Sequence, residues 1–343
     1  MRYWMNGIYW QRFAMSDFSS LWLGLDQSVV LKLDKECDKL SGEPDGEWYD
    51  EVLSHVAKTG GKRVRPKFLL VLLNFLNYKI DDRCIKLGAL VETLHQVSLL
   101  HDDVVDDAPK RRSEISVNLG WGSKTAILLG DFLLGRVLEV LSNDPNKEVM
   151  KDFARASRAL SRGILLEHEA RYNFNVSDDL LSRIAQEKTG SLFRLSAETA
   201  GRIAGLNDSK VKSLAFAGEL IGESFQFIDD CLDWTGGESI VGKPTGHDLL
   251  EGFVNRPLVR LREKGFNFGE HPQKHDIKKW KAWADENIDE ITCLMNDEQI
   301  IEKCIEESEL LLKEAFEILK TVLPDDSGFD PDFWLQIFSR RMK

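Results

Sequence analysis

The stretches LLHDDVVDD (residues 99–107) and FQFIDDCLDW (residues 225–234) share one pattern, Asp-Asp-x-x-Asp inside an apolar run. The aspartates are Asp102, Asp103 and Asp106 in the first stretch and Asp229, Asp230 and Asp233 in the second. On an α-helix, side chains at i and i+4 lie on one face, where like charges repel. Because carboxylates are rarely buried without a partner, two such clusters among apolar residues predict a shared cavity that receives cations. Such oxygen ligands suit Mg²⁺, which binds one or two carboxylates together with water and substrate phosphates.

The residues around these stretches predict an all-α protein. The 343-residue chain has nine prolines, and none lies between Pro145 and Pro244. Long proline-free segments rich in Leu, Ala, Glu, Lys and Arg favour long helices, whereas alternating strand patterns are essentially missing. The predicted helices lie within 21–57 with a break at 42–46, and at 67–78, 83–105, 125–141, 147–174, 177–204, 208–233, from 255, and within 276–321. A Gly-rich loop is predicted at 236–252.

Length alone would suggest two domains, but the two acidic stretches need one cavity and lie in different halves of the chain. We therefore expect a short N-terminal tail at residues 1–20 and one large helical bundle with a central cavity at 21–343. The tail is aromatic and carries two arginines without an acid. It is compatible with an organelle-targeting segment, a membrane-touching tail or an upstream start before Met15.

Composition excludes several function classes. The net charge of -12 argues against nucleic-acid binding, which requires a cationic surface. No apolar stretch reaches the length of a membrane span. The five scattered cysteines lack metal-type spacing and indicate a reducing compartment, so we expect a cytoplasmic protein.

Cationic residues recur at the places where a diphosphate would need them. Taken singly, a charged pair at a turn is most often a solvated surface, but here the cations accompany two acidic clusters. Arg suits bidentate phosphate contacts, and Lys acts as a point charge. The candidates are Lys62 and Arg65 in the turn KTGGKRVRP, Arg111 and Arg112 after the first cluster, Lys188 in QEKTGSLF, and Lys243 after the second cluster. His95 precedes Asp102 by seven residues on the same predicted helix, within reach of a bound diphosphate.

Ordered blocks of sequence resemble the trans-isoprenyl diphosphate (polyprenyl) synthases. The blocks are GGKRVRP from Gly60, E-x-x-H-x-x-S-L-x-H-D-D from Glu92, the pair Arg111 and Arg112, GDFLLGR from Gly130, KT at Lys188, FQFIDDCLD from Phe225, and GKPTGHDLLEG from Gly242. Order and spacing fit throughout, which makes the resemblance specific. Beyond Leu258 it weakens, although Arg340 and Arg341 look like the terminal basic residues of that family.

The resemblance implies a fold, a reaction and a set of roles. It implies a helical bundle of the isoprenoid synthase type that joins isopentenyl diphosphate to an allylic diphosphate and releases pyrophosphate. The six motif aspartates would hold three Mg²⁺ ions, and a homodimer is implied. Arg111, Lys188 and Lys243 would neutralise the departing pyrophosphate. Lys62, Arg65, His95 and Arg112 would bind isopentenyl diphosphate. Thr189 and Gln226 would stabilise the allylic cation, and Phe225 would wall the pocket.

This chain departs from the pattern of the family after GHDLLEG. Phe253 stands where the family usually has a lysine that reaches the allylic diphosphate, and Asn255 replaces a usual threonine. Ser113 replaces a usual glycine after the arginine pair. Arg256 lies three residues beyond Phe253, so we expect it to substitute for the missing lysine, in which case Arg256→Ala would raise the allylic KM.

Product length is predicted from the residues before the first acidic cluster. Val97 and Ser98, five and four positions before Asp102, are too small to form the aromatic floor of short-chain members, and Leu94 is a deeper candidate. We therefore expect a product of roughly twenty carbons or more, because only a bulky side chain would block the tunnel sterically.

Two alternatives remain open at this stage. A class I terpene cyclase also ionises a diphosphate, but it would carry an Asn/Ser/Glu metal motif and would not need Lys62 and Arg65. A non-catalytic regulatory subunit of a heteromeric synthase would lose its aspartates, which this chain retains. Turnover of isopentenyl diphosphate distinguishes these possibilities.

Overall fold

The computed structural model describes residues 25–112, 114–235, 245–272 and 276–340. These residues are predominantly helical. In chain order the helices are α1 (Gln27–Gly42), α2 (Asp50–Lys58), α3 (Val64–Phe75), α4 (Asp82–Val105), α5 (Val117–Gly120), α6 (Ser123–Ser142), α7 (Lys147–Ala170), α8 (Asp178–Ala185), α9 (Ser191–Ile203), α10 (Asp208–Thr235), α11 (His247–Leu250), α12 (Arg256–Glu263), α13 (Ile277–Asp297), α14 (Ile300–Val322) and α15 (Pro331–Arg340). The predicted tail at residues 1–20 lies outside the described ranges.

Most predicted helices are found close to their expected limits, and the differences have local causes. The helix expected to reach residue 174 ends at Ala170, because Tyr172 adopts a left-handed backbone conformation with φ of 63°. The helix predicted for 177–204 carries a π-helical turn at Gln186–Gly190 between α8 and α9. The helix predicted for 276–321 is interrupted at Gln299, whose φ is 53°.

A short hairpin was not predicted from the sequence. Strands β1 (Lys110–Arg111) and β2 (Glu114–Ile115) pair antiparallel, with Arg111 opposite Glu114. Two residues per strand are too few for a detectable alternating pattern. The hairpin directly follows the first acidic stretch, so it determines where the predicted arginine pair lies.

The core surrounds α4 and α10, the two helices that carry the acidic stretches. Helix α10 packs against α9 and α14, and α4 packs against α1, α3 and α6. Glycines allow the closest approaches: a Cβ at Gly222 would lie 2.5 Å from the Cα of Gly190, and one at Gly163 would lie 2.6 Å from the backbone nitrogen of Lys188. Larger residues there would separate α10 and α7 from the π-helical turn.

Side-chain caps explain where several helices begin. The carboxylate of Asp81 accepts a hydrogen bond from the backbone N–H of Cys84 at the start of α4, over 3.0 Å. The hydroxyl of Ser177 accepts one from the N–H of Leu180 at the start of α8. Such caps satisfy donors that the first helical turn leaves unpaired. Within the described residues, the helices are too short or too polar to span a membrane.

Candidate active site

The first acidic cluster lies at the C-terminal end of α4. Asp103 is buried and pairs with the Arg111 guanidinium of the hairpin, whose Nε donates over 2.8 Å. Asp106 caps α4, and burial together with the neighbouring Asp102 carboxylate raises its pKa to about 6. The buried Oδ1 of Asp102 has no hydrogen-bond partner among the described residues. The cluster therefore contains strong acceptors that the protein leaves incompletely satisfied.

The second cluster lies at the end of α10. Asp229 is exposed and Asp233 is buried, with its Oδ2 accepting the backbone N–H of Asp248 over 3.1 Å. Burial, followed by the charge of Asp248, raises the pKa of Asp230 to about 7. The amide of Gln226 donates to Asp230 over 2.9 Å. Carboxylates crowded in this way favour a bound cation.

Two side chains connect the clusters. Lys188, on the π-helical turn, forms an ion pair with Glu167 of α7, and its Nζ lies 3.9 Å from Asp102 Oδ2. Burial raises the pKa of Glu167, and the charges of Asp102 and Asp248 raise it further. Asp248 also raises the pKa of Asp230, and its backbone N–H donates to Asp233, so Asp248 lies close to both Glu167 and the second cluster. The structure therefore brings the two predicted motifs to one site.

The residues present fit a hard divalent cation. Among residues 25–112, 114–235, 245–272 and 276–340, no three acidic, histidine or cysteine side chains converge on a single point. A closed protein cage is not what Mg²⁺ requires, since it keeps several waters and takes one or two carboxylates plus phosphate oxygens. The unpartnered Oδ1 of Asp102 is an acceptor of that kind.

A basic patch surrounds His95, which lies on α4 two turns before Asp102. His95 is partly buried, and its pKa lies well below 6.5 because burial, and then the charges of Arg65 and Arg112, disfavour the imidazolium. Arg112 donates to the backbone oxygen of Thr59 over 2.7 Å, which places it against the glycine turn. Lys62 of that turn is exposed. The predicted His95, Arg65 and Arg112 are thus brought together.

Buried Glu92 accompanies this patch and was not among the predicted site residues. Burial raises its pKa, whereas the charges of Arg65 and Arg112 act in the opposite direction. Arg63 also belongs to the glycine turn, but its Nη1 pairs with Asp34 of α1 over 2.9 Å. Arg63 therefore fixes the turn to α1, whereas Arg65 acts on His95 and Lys62 is exposed.

The predicted residues around the apolar part of the site are also adjacent. The hydroxyl of Thr189 donates to Gln226 Oε1 over 2.7 Å, and Gln226 in turn donates to Asp230. The ring of Phe225 lies 5.7 Å from that of Phe193. This arrangement holds oxygen atoms and an aromatic surface beside the second cluster.

Arg256 does not support its predicted role as a replacement for the lysine. Its side chain is buried, with Nη1 donating to Asp178 over 2.8 Å and Nη2 donating to the hydroxyl of Ser182 over 2.7 Å. The guanidinium also lies 3.7 Å from the centroid of the Phe227 ring. Because these contacts fix the guanidinium on α8, only the backbone N–H of Arg256 reaches Asp230, over 3.4 Å. The charge is therefore structural, and we correct the expectation.

Another arginine occupies the space around Phe253. The guanidinium carbon of Arg171 lies 4.2 Å from the Phe253 ring centroid, and its Nη1 lies 3.4 Å from Asp106 Oδ1. Arg171 was not predicted, because nothing in the sequence around it resembles a motif. The absence of a lysine at position 253 could have prompted a search for another cation, such as Arg171.

Two of the three chain-length candidates, Leu94 and Ser98, are four residues apart and share a face of α4, whereas Val97 lies on another face. Val97 is buried among Val52, Leu53 and Leu129, on the side toward α2 and α6. Ser98 is partly buried, and its hydroxyl donates to the backbone oxygen of His95. Leu94 belongs to the main core. Ser98 is thus the candidate nearest the face that carries His95 and Asp102.

Lys243 and Ser113 lie outside the described residues, as do Arg341 and residues 236–244 of the loop predicted at 236–252, whose described end contains the short helix α11. Arg340 is the last residue of α15. Their predicted roles stay predictions.

A family model described as Polyprenyl synthetase matches residues 46–295. The all-trans-nonaprenyl-diphosphate synthase (geranyl-diphosphate specific) of Rhodobacter capsulatus is 36% identical over 208 residues, which cover 61% of this chain and 64% of that protein. The matched region is therefore shorter than two thirds of that relative. The heptaprenyl diphosphate synthase component 2 of Bacillus subtilis is 30% identical over 271 residues, covering 78% of this chain and 75% of that protein.

The solved structure of heptaprenyl diphosphate synthase from Staphylococcus aureus overlaps this fold with a TM-score of 0.80 at 27% sequence identity. The overlap covers 93% of this chain and 98% of the other.

Proposed function

Because the chain belongs to the polyprenyl synthetase family, we propose that it is a Mg²⁺-dependent trans-prenyltransferase that joins isopentenyl diphosphate to an allylic diphosphate. The all-helical isoprenoid synthase fold agrees with this assignment. The single observation that carries the proposal is the joining of both acidic clusters through Lys188, Glu167 and Asp248. A regulatory subunit has no need of this arrangement.

We propose a task for each group, supported by its position in the site. The aspartates of the two clusters, Asp102, Asp103, Asp106, Asp229, Asp230 and Asp233, would hold Mg²⁺, three ions in our proposal, which would supply positive charge to the departing pyrophosphate. Lys188 stands beside Asp102 to add a fixed positive charge at that place. In the proposed reaction the allylic C–O bond breaks with its electron pair leaving on pyrophosphate, and the oxygens of Thr189 and Gln226 would stabilise the resulting cation. The isopentenyl double bond supplies the electrons of the new C–C bond, and the released pyrophosphate takes the proton. Arg111, paired with Asp103, holds that carboxylate in place.

The basic patch supports a separate site for isopentenyl diphosphate. Arg65 and Arg112 both act on His95, while Lys62 extends from the adjacent glycine turn. A terpene cyclase has one diphosphate to bind, so a second cationic site two turns before the first cluster on α4 favours the transferase. We propose that these four residues bind the isopentenyl diphosphate.

Lys62→Met should raise the KM for isopentenyl diphosphate about tenfold or more, while leaving the allylic KM within about twofold. Removing a side chain that binds one substrate equally in the ground state and the transition state raises the KM of that substrate alone. A hydrogen bond to a charged group is worth about 1.5–3 kcal/mol. Initial rates with each substrate varied in turn give both constants. Lys58→Met is the matched control, because Lys58 is an exposed lysine four residues earlier. Equal changes in both KM values, or none, would contradict the two-site proposal.

His95 should make the metal-free protein less stable as the pH falls below 6.5. Its pKa is lowered on folding, so below pH 6.5 the unfolded chain binds this proton and the folded chain does not, and stability is lost as the pH falls from 6.5 to the depressed pKa. We expect His95→Gln to remove that part of the loss, measured by urea unfolding at pH 7 and at lower pH. A variant whose stability keeps the full wild-type pH dependence would rule out this role of His95.

We propose a product of seven or more isoprene units. The support comes from two relatives, a heptaprenyl and a nonaprenyl diphosphate synthase, and from Ser98, which presents no bulky side chain.

We also propose a homodimer, supported by the exposed apolar side chains of Ile127, Leu128 and Leu138 on α6, since exposed apolar surface can mark an interaction site. A monomer in sedimentation experiments at assay concentration would contradict the dimer.

A further inference from the structure

Phe253 and Arg171 form a paired unit beside the first acidic cluster. The Arg171 guanidinium lies over the Phe253 ring at 4.2 Å, and Lys188 Nζ lies 5.9 Å from the same ring centroid. An aromatic face attracts a guanidinium within about 6 Å. Phe253 therefore holds one cation directly and lies close to a second.

The backbone fixes this pair. The N–H of Tyr172 donates to the backbone oxygen of Gly252 over 2.7 Å, which joins the residue after Arg171 to the residue before Phe253. Gly252 has φ of 86°, and a Cβ there would lie 2.2 Å from the Tyr172 ring. Arg171 also follows the last residue of α7, where the helix dipole favours a cation. The sequence thus places the guanidinium against the ring without relying on a flexible loop.

Arg171 is buried but not fully satisfied. Only 9% of it is exposed, and its Nε has no hydrogen-bond partner among the described residues. It forms an ion pair with Asp106, whose Oδ1 lies 3.4 Å from Nη1, at the edge of hydrogen-bonding distance. A guanidinium has five N–H donors in a fork that matches phosphate oxygens. The unpartnered Nε therefore suits an anionic group bound beside the first cluster.

We infer that Arg171 replaces the missing lysine as the cation that binds the allylic diphosphate, and that Phe253 is its positioning residue. This inference rests on the proposed function and identifies the group that supplies affinity for one of its two substrates. A lysine at position 253 would place a second cation against Arg171, and like charges at that distance repel. Phe253 and Arg171 together thus supply the one positive charge that a lysine would supply alone.

The test compares single and double variants in which the positive charge is removed from position 171 and placed at position 253. Arg171→Met and Phe253→Leu should each raise the allylic KM about tenfold or more while sparing that of isopentenyl diphosphate, the scale expected for one charge-assisted contact. The double variant with Arg171→Met and Phe253→Lys should return the allylic KM to within about threefold of wild type. Arg171→Lys and Phe253→Tyr should each recover most of the affinity, because they keep the charge or the ring. Arg158→Met, an exposed arginine on the same helix, is the matched control.

Calorimetric titration with a thiolo analogue of farnesyl diphosphate and Mg²⁺ measures the affinity without turnover. The expected result is weaker binding in Arg171→Met and restored binding in the double variant. Unchanged binding in Arg171→Met, or a double variant no better than either single variant, overturns the inference. A wild type that binds the analogue but never incorporates isopentenyl diphosphate overturns the proposed function instead, so the two failures are distinguishable.

Discussion

Asp102→Ala and Asp229→Ala should each lower turnover by about a hundredfold or more. Both carboxylates belong to the clusters that would hold Mg²⁺ at the departing pyrophosphate, and removing one charge-stabilising group costs about that much. Steady-state rates at saturating substrate and Mg²⁺ measure the effect. Asp285→Ala removes an exposed carboxylate from α13 and is the matched control.

The same variants should leave the metal-free protein as stable as wild type, or more stable. The charge of Asp102 raises the pKa of Asp106, which means that the two carboxylates repel one another in the folded state. Thermal unfolding in the presence of a chelator measures this. Low turnover with unchanged folding points to the site, whereas near-normal turnover in both variants would contradict the assignment of the clusters.

Ser98→Phe should shorten the product to a few isoprene units while the first condensation keeps its rate. Ser98 lies one turn before Asp102 on α4, partly buried and close to the face that carries His95. A phenyl ring at this position would fill the space into which the growing chain extends, and overfilling an apolar channel is costly. Product analysis by mass spectrometry gives the lengths. Ser98→Ala removes the hydroxyl without adding bulk and should leave the length unchanged.

Val97→Phe should behave differently, although the sequence places it beside Ser98. Val97 is 5% exposed and packs among the apolar side chains of α2 and α6. Overpacking there is expected to cost about 1–3 kcal/mol of stability.

For the tunnel itself, a variant with Ser98→Phe that still makes the wild-type product would show that the tunnel follows another face of α4.

Sequence periodicity was sufficient to predict the helices and to group the aspartates of each cluster at the end of one helix, because helix spacing and charge repulsion are local properties. The same spacing could not show which way a long side chain points. Arg256 was assigned to the diphosphate from its spacing, yet Asp178 and Ser182 on another helix hold its guanidinium. Contacts between residues distant in sequence determine such orientations.

The residues that the sequence missed share a cause. Glu167 precedes Lys188 by 21 positions, and Arg171 precedes Phe253 by more than eighty, so neither pair forms a local motif. Their partners become evident only when α7, the π-helical turn and the loop before α12 are brought together. Asp248 lay inside a recognised block, but its position between the two clusters depends on the backbone contact with Asp233.

The most direct test of the central claim is incubation of the purified protein with isopentenyl diphosphate, farnesyl diphosphate and Mg²⁺, followed by mass spectrometry of the products. We expect one pyrophosphate released for each isopentenyl unit incorporated, a product of seven or more isoprene units, and no product when Mg²⁺ is chelated. A terpene hydrocarbon formed without isopentenyl incorporation, or farnesyl diphosphate recovered unextended, would contradict the account.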